Sequence, residues 1–531
     1  MNRVLRIPVL VLLPLLVIIG VLVEADRDDD APDETRPEAL TATAGEQGSL
    51  SSTWYCPVGT ATGVTSGEGA GVAEQQVVVA NASDADVSGT LTIYPTEGEP
   101  VRVPLTIGAQ ARSQIDVTDH VTAPWAAALV ETAGGEVSVA QELTGPTGRS
   151  VADCTSTPSA DWWFPAGSSN RTQLFLALFN PFPGEATVDV TFETEDGVRT
   201  PQDYDGIVVP GGSVVVKEVS QTVQVANHVS THVRSRSGRV VAEQLMVMDG
   251  TDDTPTGLTA TVGAPAPAEV WAFPASPPTA EGAIETVSVF NPGEDEAEVL
   301  VQVQVDDPDV NGSVEPFTLF VPAGRYQEIT ISDDERVPPD AGRWVIVRGL
   351  EGAGVVAQRT LAGGATDGIA STIGLPVSAT RWLAPVAVAG DSEQSSLWIA
   401  NPSPVRTATV TVRRRGGGTV EDVPDAIELT IAPGERLSVD LVAAGLPADG
   451  SVEVVSDVGV VVGLWMTFSD LSGTAQPMAV PVAGTQEVIT DVVDPGLAGG
   501  LDTEDLAPSE TLVDPDQPAE TGTSSTTTPG G

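Results

Sequence analysis

Along most of the chain apolar residues alternate with polar ones, and Pro, Gly, Asn and Asp interrupt the alternation at short intervals. The pattern is clearest near the C-terminal end. Ser396 to Ala400 is mostly apolar, Thr407 to Val412 alternates, Ile427, Leu429 and Ile431 share one face, Leu437, Val439 and Leu441 share another, and Val460 to Phe468 is a continuous apolar run. Period-two alternation broken by turns predicts antiparallel strands with one dry and one wet face, and a continuous run predicts a strand buried on both. Past Val23 no segment carries the stripe of an amphipathic helix.

The same phrase is written four times. WYCP at Trp54, WWFP at Trp162, WAFP at Trp271 and WLAP at Trp382 recur about every 110 residues, a period that suits one β-sandwich per repeat. Each block leads to an apolar run ending at Asn (FNP at Asn180 and Asn291, ANP at Asn401, and Asn81 followed by Ala in the first copy). Later turns at Gly108, Gly211, Gly324 and Gly434 keep step, as do apolar strands after Gly135, Gly238, Gly354 and Gly459. The expected fold is therefore all-β: four tandem immunoglobulin-like β-sandwich repeats at 53–153, 161–263, 269–376 and 381–482. The short Pro-containing linkers between them predict a stiff rod.

The ends differ. Arg3 and Arg6, the apolar run from Ile7 to Val23 and the acids from Glu24 onward predict a membrane-inserting helix at 1–23 with the rest of the chain extracytoplasmic. The length of the run favours a retained single-pass anchor over a signal peptide cleaved after Ala25, which would leave the protein secreted. Residues 24–52 and 483–531, acidic and without periodicity, are expected to be a disordered stalk and tail.

The sequence holds two cysteines, Cys56 in the first Trp-x-x-Pro block and Cys154 at the end of the same repeat. In an exported chain they are expected to pair as a disulfide. The equivalent pairs, Phe164 with Gly263, Phe273 with Gly374 and Ala384 with Ala479, are expected to face each other in the same way. The formal net charge of -50, with Lys217 the sole lysine, disfavours nucleic acid and anionic lipid headgroups as partners.

Little in the chain points to chemistry. It has no G-x-S-x-G elbow, phosphate loop, zinc-ligand pairing or dinucleotide fingerprint, and acidic pairs such as Asp252 and Asp253 are too common to single out as catalytic. No catalytic residue, cofactor or metal ligand is expected. His228 and His232 lie about 13 Å apart on one strand face, too far to share a metal, and with His120 they read as surface or turn residues. Asp307-Pro308-Asp309-Val310-Asn311-Gly312 resembles the start of a calcium loop but has Thr318 where the closing glutamate belongs, so an acidic hairpin tip is the preferred reading. Trp54, Trp162, Trp271 and Trp382 are expected to be packing residues, whereas Trp163 and Trp398, without a counterpart in every copy, are the better candidates to touch a ligand. The Asn residues at strand ends are expected to cap turns.

From Trp54 to Val482 the FNP and ANP turns, the VPAG and APGE turns and strands of the type VVAEQLM resemble an actinobacterial family of secreted or membrane-anchored proteins carrying a domain of unknown function. The resemblance brings no catalytic residues. The expected function is a non-catalytic cell-envelope scaffold that contacts the membrane through its N-terminal helix and contacts envelope proteins; a cell-wall glycan- or ligand-binding module is the alternative.

Overall fold

The computed structural model describes residues 37–490 and 492, apart from 65–69, 252–253, 277–281, 308–313, 364–367, 389–391, 448–449 and 469–472. The expected membrane helix, the candidate calcium loop after Asp307 and nearly all of the tail lie outside the described residues. Among the described residues no helix is long and apolar enough to cross a membrane, and the helical turns are 3-10 turns of three residues. The chain is all-β.

Each Trp-x-x-Pro block is an opening strand or lies at the end of one: Ser51–Cys56, Asp161–Phe164, Val270–Phe273 and Val377–Ala384. The strand order around them recurs. In the first set, Ser51–Cys56, Ala126–Ala133, Val87–Pro95 and Val101–Ile107 form an opening sheet, while Ala111–Asp116, Glu74–Asn81, Val137–Gly145 and Gly148–Asp153 form a closing sheet. The second and third sets repeat this order, the second with one additional short strand. In the fourth set, Ser451–Phe468 runs through both sheets and joins them into one ten-stranded system.

Local chemistry explains the repetition. Trp54, Trp162, Trp271 and Trp382 are fully buried, so each indole N–H needs an acceptor. Trp162, Trp271 and Trp382 donate to the carbonyls of Val240, Val355 and Val460 at 2.9, 2.7 and 3.0 Å, and Trp54 donates to Ser52 Oγ at 2.8 Å. Asn81, Asn180, Asn291 and Asn401 are caps. Each Nδ2 donates to a carbonyl four or five residues on (Ala85, Gly184, Asp295, Arg406) and to one at the end of a later strand (Ile107, Val209, Val321, Ile431). The first copy keeps this bond pattern despite lacking Pro after Asn81. The late turns pivot three residues after those second carbonyls, at Gln110, Gly212, Gly324 and Gly434, all with positive φ. In the first two copies this is past the glycines Gly108 and Gly211 that the sequence marks, and Gln110 takes up the left-handed conformation without being glycine.

Cys56 and Cys154 form a disulfide with Cα atoms 4.8 Å apart. A Cβ added at Gly263 would stand 2.7 Å from the Phe164 ring, and one at Gly374 would stand 2.8 Å from the Phe273 ring. In the fourth set the register Leu383↔Val480 carries Ala384 opposite Ala479. The third residue of the opening block thus meets the closing segment in each copy.

The rod expectation is overturned, because the four sheet pairs close into a ring. The closing strand Gly148–Asp153 packs against Thr256–Val262, that strand against Gly368–Ile373, that against Thr474–Ala475, and the last returns to Gly148–Asp153. Glycines permit the approach. A Cβ at Gly257 would stand 2.9 Å from Ile369 N, one at Gly368 2.8 Å from Thr474 N, and one at Gly473 2.6 Å from Arg149 O. On the axis lies a cavity of about 90 Å³, lined in part by Leu40, Asp153, Thr261, Ser371, Gln476 and Met478. It has room for water, well short of the roughly 300–1,000 Å³ of a ligand cleft.

The ends of the chain help to shut the ring. Ala44 bridges Val482, donating to Pro481 O and accepting from Ala483 N, both at 2.9 Å. Gln486–Val488 pairs with Val377–Ala379, and Leu40 and Ile489 are buried. Residues 37–52 and 483–490 are therefore ordered parts of the ring, where an acidic stalk and tail were expected. The residues that dock lie in segments too short for a strand pattern, Leu40 and Ala44 among Thr, Ala and Gly and Val488-Ile489 between Glu487 and Thr490.

Candidate functional site

Four equivalent seams join neighbouring sheet pairs. In each, the outer face of one opening sheet meets the Asn-capped and left-handed turns of the next pair. Strand register aligns the residues on that face: Tyr94 opposite Ala127, Glu193 opposite Ser230, Gln304 opposite Trp344, and Arg415 opposite Ser451.

The side chains differ. In the first seam Tyr55 and Tyr94 pack on Phe179, with ring centroids 6.3 and 5.0 Å apart, and Trp125 packs on Phe175. In the third, the buried Trp344 donates its indole N–H to Gly434 O at 3.1 Å. Arg436 completes that seam by donating to Pro274 O, Ser276 O and the Asp306 carboxylate, with its guanidinium 3.9 Å from the Trp398 ring centroid. Trp398, a candidate ligand contact by sequence, is therefore buried under an arginine.

The seam that closes the ring carries charge. Glu453 gathers Arg381, Arg413 and Arg415; Arg381 also pairs with Glu136, and Arg415 reaches Ala82 O and Gln110 in the first set. Arg112 donates to Pro385 O, as Arg436 does to Pro274 O one seam earlier. An opening of about 430 Å³ remains there, lined by Arg381, Arg413 and Arg415 together with Glu136 and Glu453, and so braced by ion pairs.

The second seam also holds an open groove, of about 400 Å³. Its floor is the second opening sheet, with Trp163, Thr191, Glu193, Ser230, His232 and Arg234, and its far wall is Phe290, Pro292 and Gly324 of the third set. Trp163 and His232 are cross-strand neighbours and stack with rings 4.9 Å apart and 5° from parallel. His232 Nε2 lies 3.0 Å from Asp161 Oδ1. Glu193 is buried and ion-paired through Oε1 to Arg325. Burial pushes its carboxyl above the ordinary range even though Arg325 pulls the other way. Of the two sequence candidates for ligand contact, Trp163 stands at an opening and Trp398 does not.

The histidines separate. His232 lines the groove and His120 is exposed, as a surface reading expects. His228 is a correction: it is buried, stacked on Tyr326 with centroids 3.5 Å apart, its ring nitrogens 2.8 Å from Glu328 and from Ser230 Oγ. Its role as a seam residue was hidden because Tyr326 and Glu328 come from the third set. Among the described residues no group of three or more His, Cys, Asp or Glu is placed to hold a metal ion.

Two further buried carboxyls sit between sheet pairs. Glu243 accepts from Gln141 Nε2 at 2.6 Å and from Val58 N at 3.0 Å, both in the first set. Asp153 accepts from Met478 N across the closing seam at 2.9 Å. Burial outweighs these bonds, pushing Glu243 up to about 8 and Asp153 up to about 7. Between pH 4 and 8 the unfolded chain therefore releases these protons before the folded one does, and stability falls as pH rises by at most about 1.4 kcal/mol per pH unit for each group. Calorimetric melts at pH 5 and pH 8 should show this fall, and Glu243→Gln should flatten it. An unchanged pH slope in the variant would exclude Glu243 as its source.

No curated protein matches the chain. Residues 126–336, which include every groove residue named above, match a family of unknown function (DUF5719).

Proposed function

We propose that the chain is a non-catalytic scaffold of the cell envelope: four tandem immunoglobulin-like β-sandwiches closed into a ring and held outside the membrane by the segment 1–23. The observation that carries this reading is the closure itself. Buried contacts at all four seams fix the four sheet pairs to one another, which suits a body that displays surfaces to partners. The acidic surface supports solubility outside the cytoplasm and disfavours nucleic acid. The disulfide supports an oxidising compartment. The reading follows the likeness to secreted or anchored actinobacterial proteins and assigns no catalytic residue or cofactor.

In-cell crosslinking of the full-length protein, followed by mass spectrometry of its neighbours, tests it. The expected neighbours are extracytoplasmic proteins, with envelope-synthesis enzymes among them. Recovery of cytoplasmic neighbours alone would reject the proposal.

A further inference from the structure

We propose that the groove of the second seam is a saccharide site for a neutral sugar of one or two rings. The four seams place equivalent strand positions at the same contact. At the position of Glu193 and Ser230, the first seam is filled by Tyr94, the third by Trp344 bonded to Gly434, and the fourth by Arg415 bonded to Gln110. Glu193 pairs with Arg325, yet it and Ser230 leave the space above them open. The first and third seams are packed at this position, and the opening that remains at the fourth is lined by ion-paired arginines; the second groove differs from it in being walled by Trp163, His232 and Phe290.

Its lining specifies the ligand. Two polar groups lack partners among the described residues: Glu193 Oε2, on a carboxylate only 3% exposed, and the indole N–H of Trp163. A buried acceptor without a donor is costly, and a ligand hydroxyl donating to Oε2 would relieve that cost. The stacked Trp163–His232 pair, partly exposed at the floor, supplies a flat apolar surface for the C–H face of a sugar ring. Thr191 and Arg234 add a hydroxyl and a guanidinium group around it, while the Ser230 hydroxyl is taken by Pro165 O and His228.

Charge excludes the alternatives. Asp161 and Glu193 are matched by Arg234 and Arg325, so the groove is close to neutral, and the net charge of -50 repels anions at longer range. A cationic ligand would meet two arginines. A neutral polyhydroxyl compound satisfies the open acceptor and the aromatic wall with no charge to accommodate. A volume of about 400 Å³ limits it to a mono- or disaccharide, or to one end of a longer glycan.

The test is calorimetric titration of the intact protein with glucose, galactose, mannose, arabinose, N-acetylglucosamine and their disaccharides. Saturable binding of at least one is expected. Trp163→Ala and Glu193→Gln should each weaken it at least tenfold. Val198→Arg, at an exposed position on the groove rim, should abolish it while leaving the thermal transition in place. No saturable binding across the panel at millimolar sugar, or binding indifferent to all three substitutions, would overturn the proposal. Neither outcome depends on which proteins are neighbours in the cell, so this site and the scaffold reading fail separately.

Discussion

Glu285→Ala is expected to destabilise the protein by about 3–5 kcal/mol, the cost of leaving a buried charge without its partner. Glu285 is fully buried in the third set, where it accepts from Ser276 Oγ at 3.1 Å and from Arg343 Nε at 2.7 Å and lies 3.7 Å from Arg359 Nη1. Burial works against its charge, but Arg343 and Arg359 hold the carboxyl below its ordinary range. Arg359 shows the other side of the balance: burial lowers it to about 10 despite the pull of Glu285. With alanine at 285, two buried guanidinium groups lose their counter-charge. The effect reaches the third seam, because Arg359 also donates to Ala275 O and to Gln476 Oε1 of the fourth set. Urea unfolding at neutral pH measures it, and a loss below about 1 kcal/mol would mean that water or relaxation replaces the carboxylate. Glu285→Gln, which keeps the shape and one acceptor, should cost less.

Removing the disulfide with Cys56→Ala and Cys154→Ala is expected to cost up to about 4–5 kcal/mol on the chain-entropy account, since the bridge spans 98 residues. Both cysteines are buried where the opening block meets the closing segment, so the substitutions also remove packing. The internal copies suggest a repair. Phe164 with Gly263 and Phe273 with Gly374 fill the same place without a covalent bond. Cys56→Phe combined with Cys154→Gly should therefore lose less stability than the double alanine. Thermal melts of the two variants under one buffer decide it, and equal or greater loss in the Phe/Gly protein would show that the first repeat does not share the packing of the others.

Much of the architecture was legible in the sequence because it repeats. Four Trp-x-x-Pro blocks, four Asn turns and four late turns mark positions that obey local rules: an indole seeking an acceptor, a side-chain amide capping a turn, a left-handed residue closing a hairpin. The disulfide was legible for a different reason, since an exported chain with just two cysteines is expected to pair them. The ring was not. Its seams depend on glycines such as Gly257, Gly368 and Gly473, which read as ordinary turn residues until the neighbouring strand is seen against them. Short Pro-containing linkers suit a rod or a ring equally well, and Leu40, Ala44 and Ile489 lie in segments too short to show a strand pattern.

The groove was half legible. Trp163 stood out because its counterparts are not tryptophan, but Trp398 stood out on the same ground and lies under Arg436. Composition alone does not separate an aromatic at an opening from one under an arginine. Glu193 carried no signal among 74 acidic residues, and it gains meaning from its register with Ser230 and from Arg325 across the seam.

A distance between the first and fourth sheet pairs reports on whether the ring is closed. Asp84 and Val420 are exposed and line the same opening at the closing seam. With Asp84→Cys and Val420→Cys carrying spin labels and the native cysteines held in their disulfide, pulsed electron resonance should give one narrow distance, shorter than a single domain diameter of about 35 Å. A distribution centred near 70 Å or beyond, the length of roughly two intervening domains, would contradict the ring and restore the rod.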